Sequence, residues 1–317
     1  MLLDIRLFFT LLFMALISAC SVEQEPLLRV GTNQWLGYET LYLARDLGFF
    51  DAQLIKLKEL TSSTETLRAF KQGQLDVAAL TLDEVLLLAQ TEKDLRVFLV
   101  MDVSNGADKV IVRKDIQQLS DLKGKKISVE STALGAYMMY QLLNAAHLNA
   151  ADIKIDSATV DQHFHRMTRG ESDAVITFDP VASALVRLGY TDLFNSSQIP
   201  NKIVDVLVTR QSVIEQQGGN LAALIAAQWR ALDYMQKDPN DAYQRILPRL
   251  GVTVAELAAS YKTLKLPGQA ENQQLLDKNN ILGLHTTIKE LATVSVESKL
   301  ILSVPALDQL LTDSLIQ

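Results

Sequence analysis

Leu27-Leu28-Arg29-Val30-Gly31-Thr32-Asn33-Gln34-Trp35-Leu36-Gly37-Tyr38-Glu39 reads as a short strand, a polar loop and the start of a helix. The helix runs from Glu39 to Leu47 and Gly48 closes it. Outward from this unit the same alternation repeats. Strands are expected over Leu54–Leu60, Val77–Leu80 and Leu95–Met101, with helices over Thr64–Gln72 and Asp83–Gln90. Strands alternating with helices predict sheets covered by helices, with mostly parallel pairing.

The pattern then restarts. Strands are expected at Lys109–Arg113, Ile127–Val129, Ile153–Ile155 and Ala174–Thr177. Helices are expected at Ala133–Ala146, Asp161–Arg169 and Val181–Leu188; Leu134, Met138, Leu142 and Leu143 recur at helical spacing. Lys202–Val208 reads as a strand leading back to the first unit, and Leu221–Lys237 opens a mainly helical remainder, with Gly218-Gly219 as a loop. The expected fold class is therefore α/β and two-lobed, each lobe a mostly parallel sheet flanked by helices, with two crossover hinge strands. Lobe 1 is expected over residues 27–103 plus 209–317 and lobe 2 over 104–208, with hinges near Val103–Ala107 and Val206–Arg210.

The N-terminal end carries a different signal. Asp4 and Arg6 precede an apolar run from Leu7 to Ile17, about half the ~20 residues of a membrane-spanning helix. Small residues Ser18 and Ala19 lead to Cys20, the single cysteine of the chain. A short apolar run ending in small residues marks an export signal. With the thiol directly after, it resembles a bacterial lipobox, which implies a lipoprotein signal peptide over 1–19, acylation of Cys20 and a tether over 20–26. Two or more acyl chains anchor stably, at ~0.8 kcal/mol per buried methylene. Ser21 in place of aspartate resembles an outer-membrane address where two membranes exist. The expected location is the periplasmic side of the cell envelope.

Of 317 residues, 48% are hydrophobic and the net charge is −7. That suffices for two packed cores. An acidic chain without clustered Lys and Arg argues against nucleic acid. No disulfide is available to a chain with one cysteine. His163 and His165 lie two apart, on different faces of a helix, and neither spacing nor neighbours suit a metal. No Ser-His-Asp order, Gly-rich phosphate loop or zinc motif stands out, so no catalytic residue, metal or cofactor is expected.

In open α/β sheets ligands sit beyond the carboxyl ends of strands, in the loops that open the next helix. Those loops supply the candidate ligand-binding residues Trp35, Tyr38, Glu39, Ser62, Thr81, Asp83, Asp108, Glu130, Ser131, Thr132, Phe178 and Asp179. Each also has a structural reading. Glu39 suits the positive end of a helix dipole. Thr81-Leu82-Asp83-Glu84 is a capping box. A hydroxyl of Ser131 or Thr132 suits an N-cap, as does Asp179 before Pro180. Asp108 follows a glycine turn. Trp35 lies in a polar loop and makes an aromatic wall that excludes water or faces a cation.

Val30–Glu39 with Leu41-Tyr42-Leu43-Ala44 and Gly48-Phe49-Phe50 resembles the opening of bacterial solute-binding proteins of the nitrate/sulfonate/taurine/thiamine-precursor type. The resemblance continues in order through Phe70–Ala78, Ser104–Asp108, Asp121–Glu130, Gly170–Val175 and Phe178-Asp179-Pro180. It implies a two-lobed periplasmic-binding-protein fold, expected as a monomer, that closes on one small molecule and hands it to an ABC importer. The same fold would also serve a lipoprotein that reports to a membrane sensor. Relatives that make a pyrimidine precursor use a cysteine-rich segment and histidines that these loops lack. Six carboxylates (Glu39, Asp83, Glu84, Asp108, Glu130 and Asp179) and no basic residue stand in the loops. Burying a carboxylate beside an anion is costly, so the ligand is expected to be cationic or donor-rich and nitrogen-containing. The alternative is an anion of the sulfonate or nitrate type held on helix N-termini.

Overall fold

The computed structural model describes residues 25–316; the expected export signal, Cys20 and most of the expected tether fall outside that range. Eleven strands form two sheets among the described residues. The first holds β1 (Leu28–Thr32), β2 (Ile55–Glu59), β3 (Val77–Thr81), β4 (Leu95–Ser104), β10 (Val204–Arg210) and β11 (Leu264–Lys265), in the order β11-β4-β10-β3-β1-β2. The second holds β5 (Lys109–Val112), β6 (Lys126–Val129), β7 (Lys154–Ser157), β8 (Ala174–Thr177) and β9 (Thr191–Asn195), ordered β7-β6-β8-β5-β9.

Helices α1 (Glu39–Asp46), α2 (Ser63–Lys71) and α3 (Leu82–Leu88) follow β1, β2 and β3. Helices α4 (Ala133–Ala146), α5 (Val160–Thr168) and α6 (Val181–Arg187) follow β6, β7 and β8. The α/β class and the two-sheet division follow the sequence. The pairing is more mixed than mostly parallel. β1 pairs parallel with β2 and β3, and β6 with β7 and β8. The strands that carry the chain between sheets, β4, β5 and β10, pair antiparallel with their neighbours. A chain that returns through a neighbouring unit enters its sheet against the strands joined by helical crossovers.

Two crossings join the sheets: residues 105–108 between β4 and β5, and residues 196–203 between β9 and β10. The first lies where expected. The second precedes the expected Val206–Arg210, because Val204–Val208 is flanked by β3 and β4 and buried along its length. Its apolar residues belong to a central strand, and the polar stretch before it makes the crossing. Strand β9 was not anticipated. Gly218-Gly219 is not a loop either: it follows a break at Gln217 (φ −136°, ψ 31°) inside the helical run α7 (Gln211–Lys237). Glu25 Oε1 and Oε2 accept from the amides of Gly219 and Asn220 at 2.9 and 2.7 Å, fixing the start of the described chain there.

The remaining helices are α8 (Pro239–Leu250), α9 (Val254–Tyr261), α10 (Gln269–Leu276) and α11 (Leu284–Glu297). Leu28, Val30, Leu80, Phe98 and Leu224 centre the core of the first sheet, and Val110, Ile127, Met138 and Leu142 that of the second. No helix of the described residues is long and apolar enough to cross a membrane.

Candidate functional site

The loops after β1, β2 and β3 face those after β6 and β8 across a seam. Trp35 precedes a single 3-10 turn (Leu36–Tyr38) that leads into α1. Its indole Nε1 donates to Asp102 Oδ2 at 2.9 Å, and its ring meets Phe178 edge-on at 5.0 Å between centroids. Phe178 belongs to the second unit, so this contact spans the seam. The Tyr38 hydroxyl donates to Asp205 Oδ1. Gly37 makes the approach possible: a Cβ there would fall 1.7 Å from Asp102 Oδ2.

Polar contacts also cross the seam, among them an ion pair between Arg187 and Glu256. Glu130 Oε1 accepts from Thr64 N at 2.9 Å and Thr64 Oγ1 at 2.6 Å. Asp179 Oδ2 accepts from Ser260 Oγ at 2.5 Å. Asp179 also pairs with Lys109 Nζ at 3.2 Å and accepts from Ser183 N and Oγ at 2.9 and 2.7 Å. Lys109 and these hydroxyls outweigh burial and hold the Asp179 carboxyl below its usual range.

The expected residues divide. Trp35, Tyr38, Asp83, Asp108, Glu130, Phe178 and Asp179 stand at or directly behind the seam. Ser62, Thr81 and Thr132 cap helices, accepting from Glu65, Glu84 and Gly135 amides. Ser131 pairs with Ser157 on an exposed face. Glu39 turns away: its carboxylate accepts from Arg249 Nε at 2.7 Å, and the same guanidinium reaches Glu59 and lies 3.5 Å from the Tyr42 ring centroid. That is a packed ion pair behind α1. His163 is buried, with Nε2 3.0 Å from Ala158 O.

The dominant feature is a group of buried carboxylates with unpartnered oxygens. Asp83, Glu84, Asp102, Asp108 and Asp205 are each at most 3% exposed. Both oxygens of Asp83, and one each of Glu84, Asp102, Asp108 and Asp205, have no hydrogen-bond partner among the described residues. Burial, reinforced by neighbouring negative charges, pushes Asp83 up to about 7 and Glu84 and Asp102 to about 8, and Asp205 rises well above the carboxylate range; burial alone lifts Asp108 to about 6, against Ser104 and Lys109. Such groups hold protons at neutral pH or take a positive guest. Between the units lies a cavity of about 30 Å³ lined in part by Ser63, Asp108, Glu130, Thr177 and Phe178. Thr177 Oγ1 is also unpartnered.

Asp102 and Asp205 escaped the sequence reading because they lie inside strands, not in the loops after them. One signal pointed to them. Each is a lone carboxylate in an apolar strand run, Val100-Met101-Asp102-Val103 and Val204-Asp205-Val206, where Asp is disfavoured.

A family model described as NMT1/THI5 like matches residues 37–242. The taurine-binding periplasmic protein of Escherichia coli (strain K12) is 22% identical over 161 residues, covering 50% of this chain and 50% of that protein. The chain thus spans about half the length of this curated relative. Among solved structures, the zinc-bound ligand-binding component of an ABC-type import system from Staphylococcus aureus superposes with a TM-score of 0.76 at 12% identity, covering 92% of this chain and 98% of that one. The alkanesulfonate-binding protein SsuA from Xanthomonas axonopodis pv. citri, bound to MOPS, gives 0.72 at 16%, covering 90% and 97%. The desulfurization enzyme DSZB gives 0.66 at 15%, covering 91% and 97%. At these identities the shared property is the two-lobed fold.

Proposed function

The chain belongs to the NMT1/THI5-like family, and on that premise we propose that it is the solute-binding component of an ABC importer. It works as a binding protein rather than an enzyme, on the periplasmic side of the envelope, as a monomer held to a membrane by lipid on Cys20. Its halves, residues 27–103 plus 204–317 and the intervening stretch from 104 to the second crossing, close on one small nitrogen-containing, cationic or donor-rich molecule.

One observation supports the choice of ligand: five buried carboxylates with unpartnered oxygens lie near the seam, and among the described residues the cation beside them, Lys109, is already paired with Asp179. An anion there would meet unpaired negative charge in a low dielectric. A cation relieves it. Closure follows from differential affinity: the guest touches both halves only when they meet, so it shifts the population toward the closed form. The contacts Thr64–Glu130, Ser260–Asp179 and Trp35–Phe178 are those a closed form would use.

Similarity to a taurine-binding and an alkanesulfonate-binding protein favours a second reading, a sulfonate guest. A thermal-shift screen separates the two. Stabilisation by amines, amidines or guanidinium compounds supports the first; stabilisation by alkyl sulfonates or nitrate alone supports the second. Trp35→Ala and Glu130→Ala are expected to weaken binding while leaving the circular-dichroism spectrum unchanged. Normal binding by both would place the guest elsewhere. Neighbouring genes for a permease and an ATPase support transport, and a membrane sensor gene supports signalling.

A further inference from the structure

Asp102 and Asp205 are register partners across the antiparallel β4–β10 pair. Side chains directly opposite on such strands share a face, with Cβ atoms ~4.5–5.5 Å apart, and like charges there destabilise the sheet. Both residues are buried, at 0% and 3% exposure. Each has one oxygen satisfied by an aromatic donor, Asp102 by Trp35 and Asp205 by Tyr38. Each has its other oxygen, Asp102 Oδ1 and Asp205 Oδ2, without a partner among the described residues. Among the described residues the nearby groups are acidic or neutral except Lys109: Asp108, Asp83, Glu84 and Glu130 are acidic, and Tyr38 is neutral. The pair also stands at the root of both crossings, two residues before Ser104 ends β4 and one after Val204 begins β10.

We propose that Asp102 and Asp205 form the charge-selecting end of the ligand site and take a compact planar cation that presents N–H donors on two sides, an amidinium or guanidinium group. This deepens the cationic reading above and rests on it. Two carboxylates on one sheet face need donors directed to both. A planar N–C–N fork supplies them, whereas a tetraalkylammonium has none. A metal ion is a poorer occupant, because no group of three or more candidate ligand side chains assembles among the described residues. Trp35 and Tyr38 act as positioning residues, fixing one oxygen of each carboxylate so that the other is aimed at the guest.

The test is isothermal titration calorimetry on the mature chain at neutral pH, with acetamidinium, tetramethylammonium and methanesulfonate as probes. Acetamidinium is expected to bind the native protein and tetramethylammonium not to. Asp102→Asn and Asp205→Asn are each expected to weaken acetamidinium about 10- to 100-fold, with Asp115→Asn, an exposed partner of Arg113, unchanged. Equal affinity for the two cations, or native-like binding by both Asn variants, overturns the assignment while leaving a cation-binding seam intact. Methanesulfonate binding without any cation binding overturns the cationic reading itself. If a variant does not fold, the native protein decides. Acetamidinium binding must release protons, seen as different heats in buffers of different ionisation enthalpy, and equal heats overturn the proposal.

Discussion

Trp35 and Tyr38 each direct a polar hydrogen at a buried carboxylate, and this pairing shapes the loop after β1. Trp35→Phe keeps the ring against Phe178 and removes the donor, leaving Asp102 wholly unpartnered. Urea unfolding is expected to register a loss of about 1–3 kcal/mol. Protonation gives a second prediction. Asp83, Glu84, Asp102 and Asp108 hold protons in the folded chain at about 7, 8, 8 and 6, above their ordinary 3.8 to 4.5. The folded state therefore binds more protons than the unfolded one, and stability from these groups is full below about pH 4 and lost as pH rises toward 8. Asp179 opposes them weakly, its lowered value being tied to Lys109. The melting temperature of the ligand-free protein is expected to fall between pH 5 and 8, and a rise across that range contradicts the buried-carboxylate description. Much of the candidate site was legible as loop positions: Trp35, Glu130 and Phe178 stand in loops with strand-to-helix signatures. Asp102 and Asp205 were not, because a strand interior shows its alternation but not which polar residue meets another strand.

Among the elements, β4 is the most dependent on its neighbours. Asn272 of α10, fully buried, receives Val100 N at 2.7 Å and donates to Val100 O at 3.1 Å, acting as a one-residue extension of the sheet. Asn272→Ala leaves both backbone groups unsatisfied and is expected to cost about 1–3 kcal/mol, measured by denaturant titration. The β-α alternation was readable up to β8 because hydrophobic period and Gly closures agree there. β9 and β11 were not: Thr191-Asp192-Leu193 is too polar and Leu264-Lys265 too short to announce a strand. The break at Gln217 was hidden because helix resumes on both sides of Gly218-Gly219.

At the scale of the molecule, the seam is closed in this structure by the Trp35–Phe178 contact and by polar contacts that include the Arg187–Glu256 ion pair. Thr64→Ala removes a 2.6 Å bond to Glu130 without touching either core. It is expected to enlarge the radius of gyration in small-angle scattering and to weaken ligand binding by a few-fold, since a less populated closed form lowers apparent affinity in proportion. An unchanged envelope and affinity would show that this bond does not bias closure. The division into two units was legible because the β-α pattern stops and restarts at Ser104–Asp108. Where the chain returns was misplaced, since apolar Val204–Val208 carried no mark of which sheet it joins.

Ser196 sits where the two linkers pass each other. Its Oγ takes the Gly106 amide at 2.6 Å and meets Ser104 Oγ at 2.7 Å, out of contact with solvent. That hydroxyl, together with the Ser196 amide donating to Asp108 O at 2.9 Å, buttons one linker to the other, so they bend at a shared point and the halves swing like a book on one spine. Without that button each linker flexes at its own weakest joint, and the pages no longer meet in register.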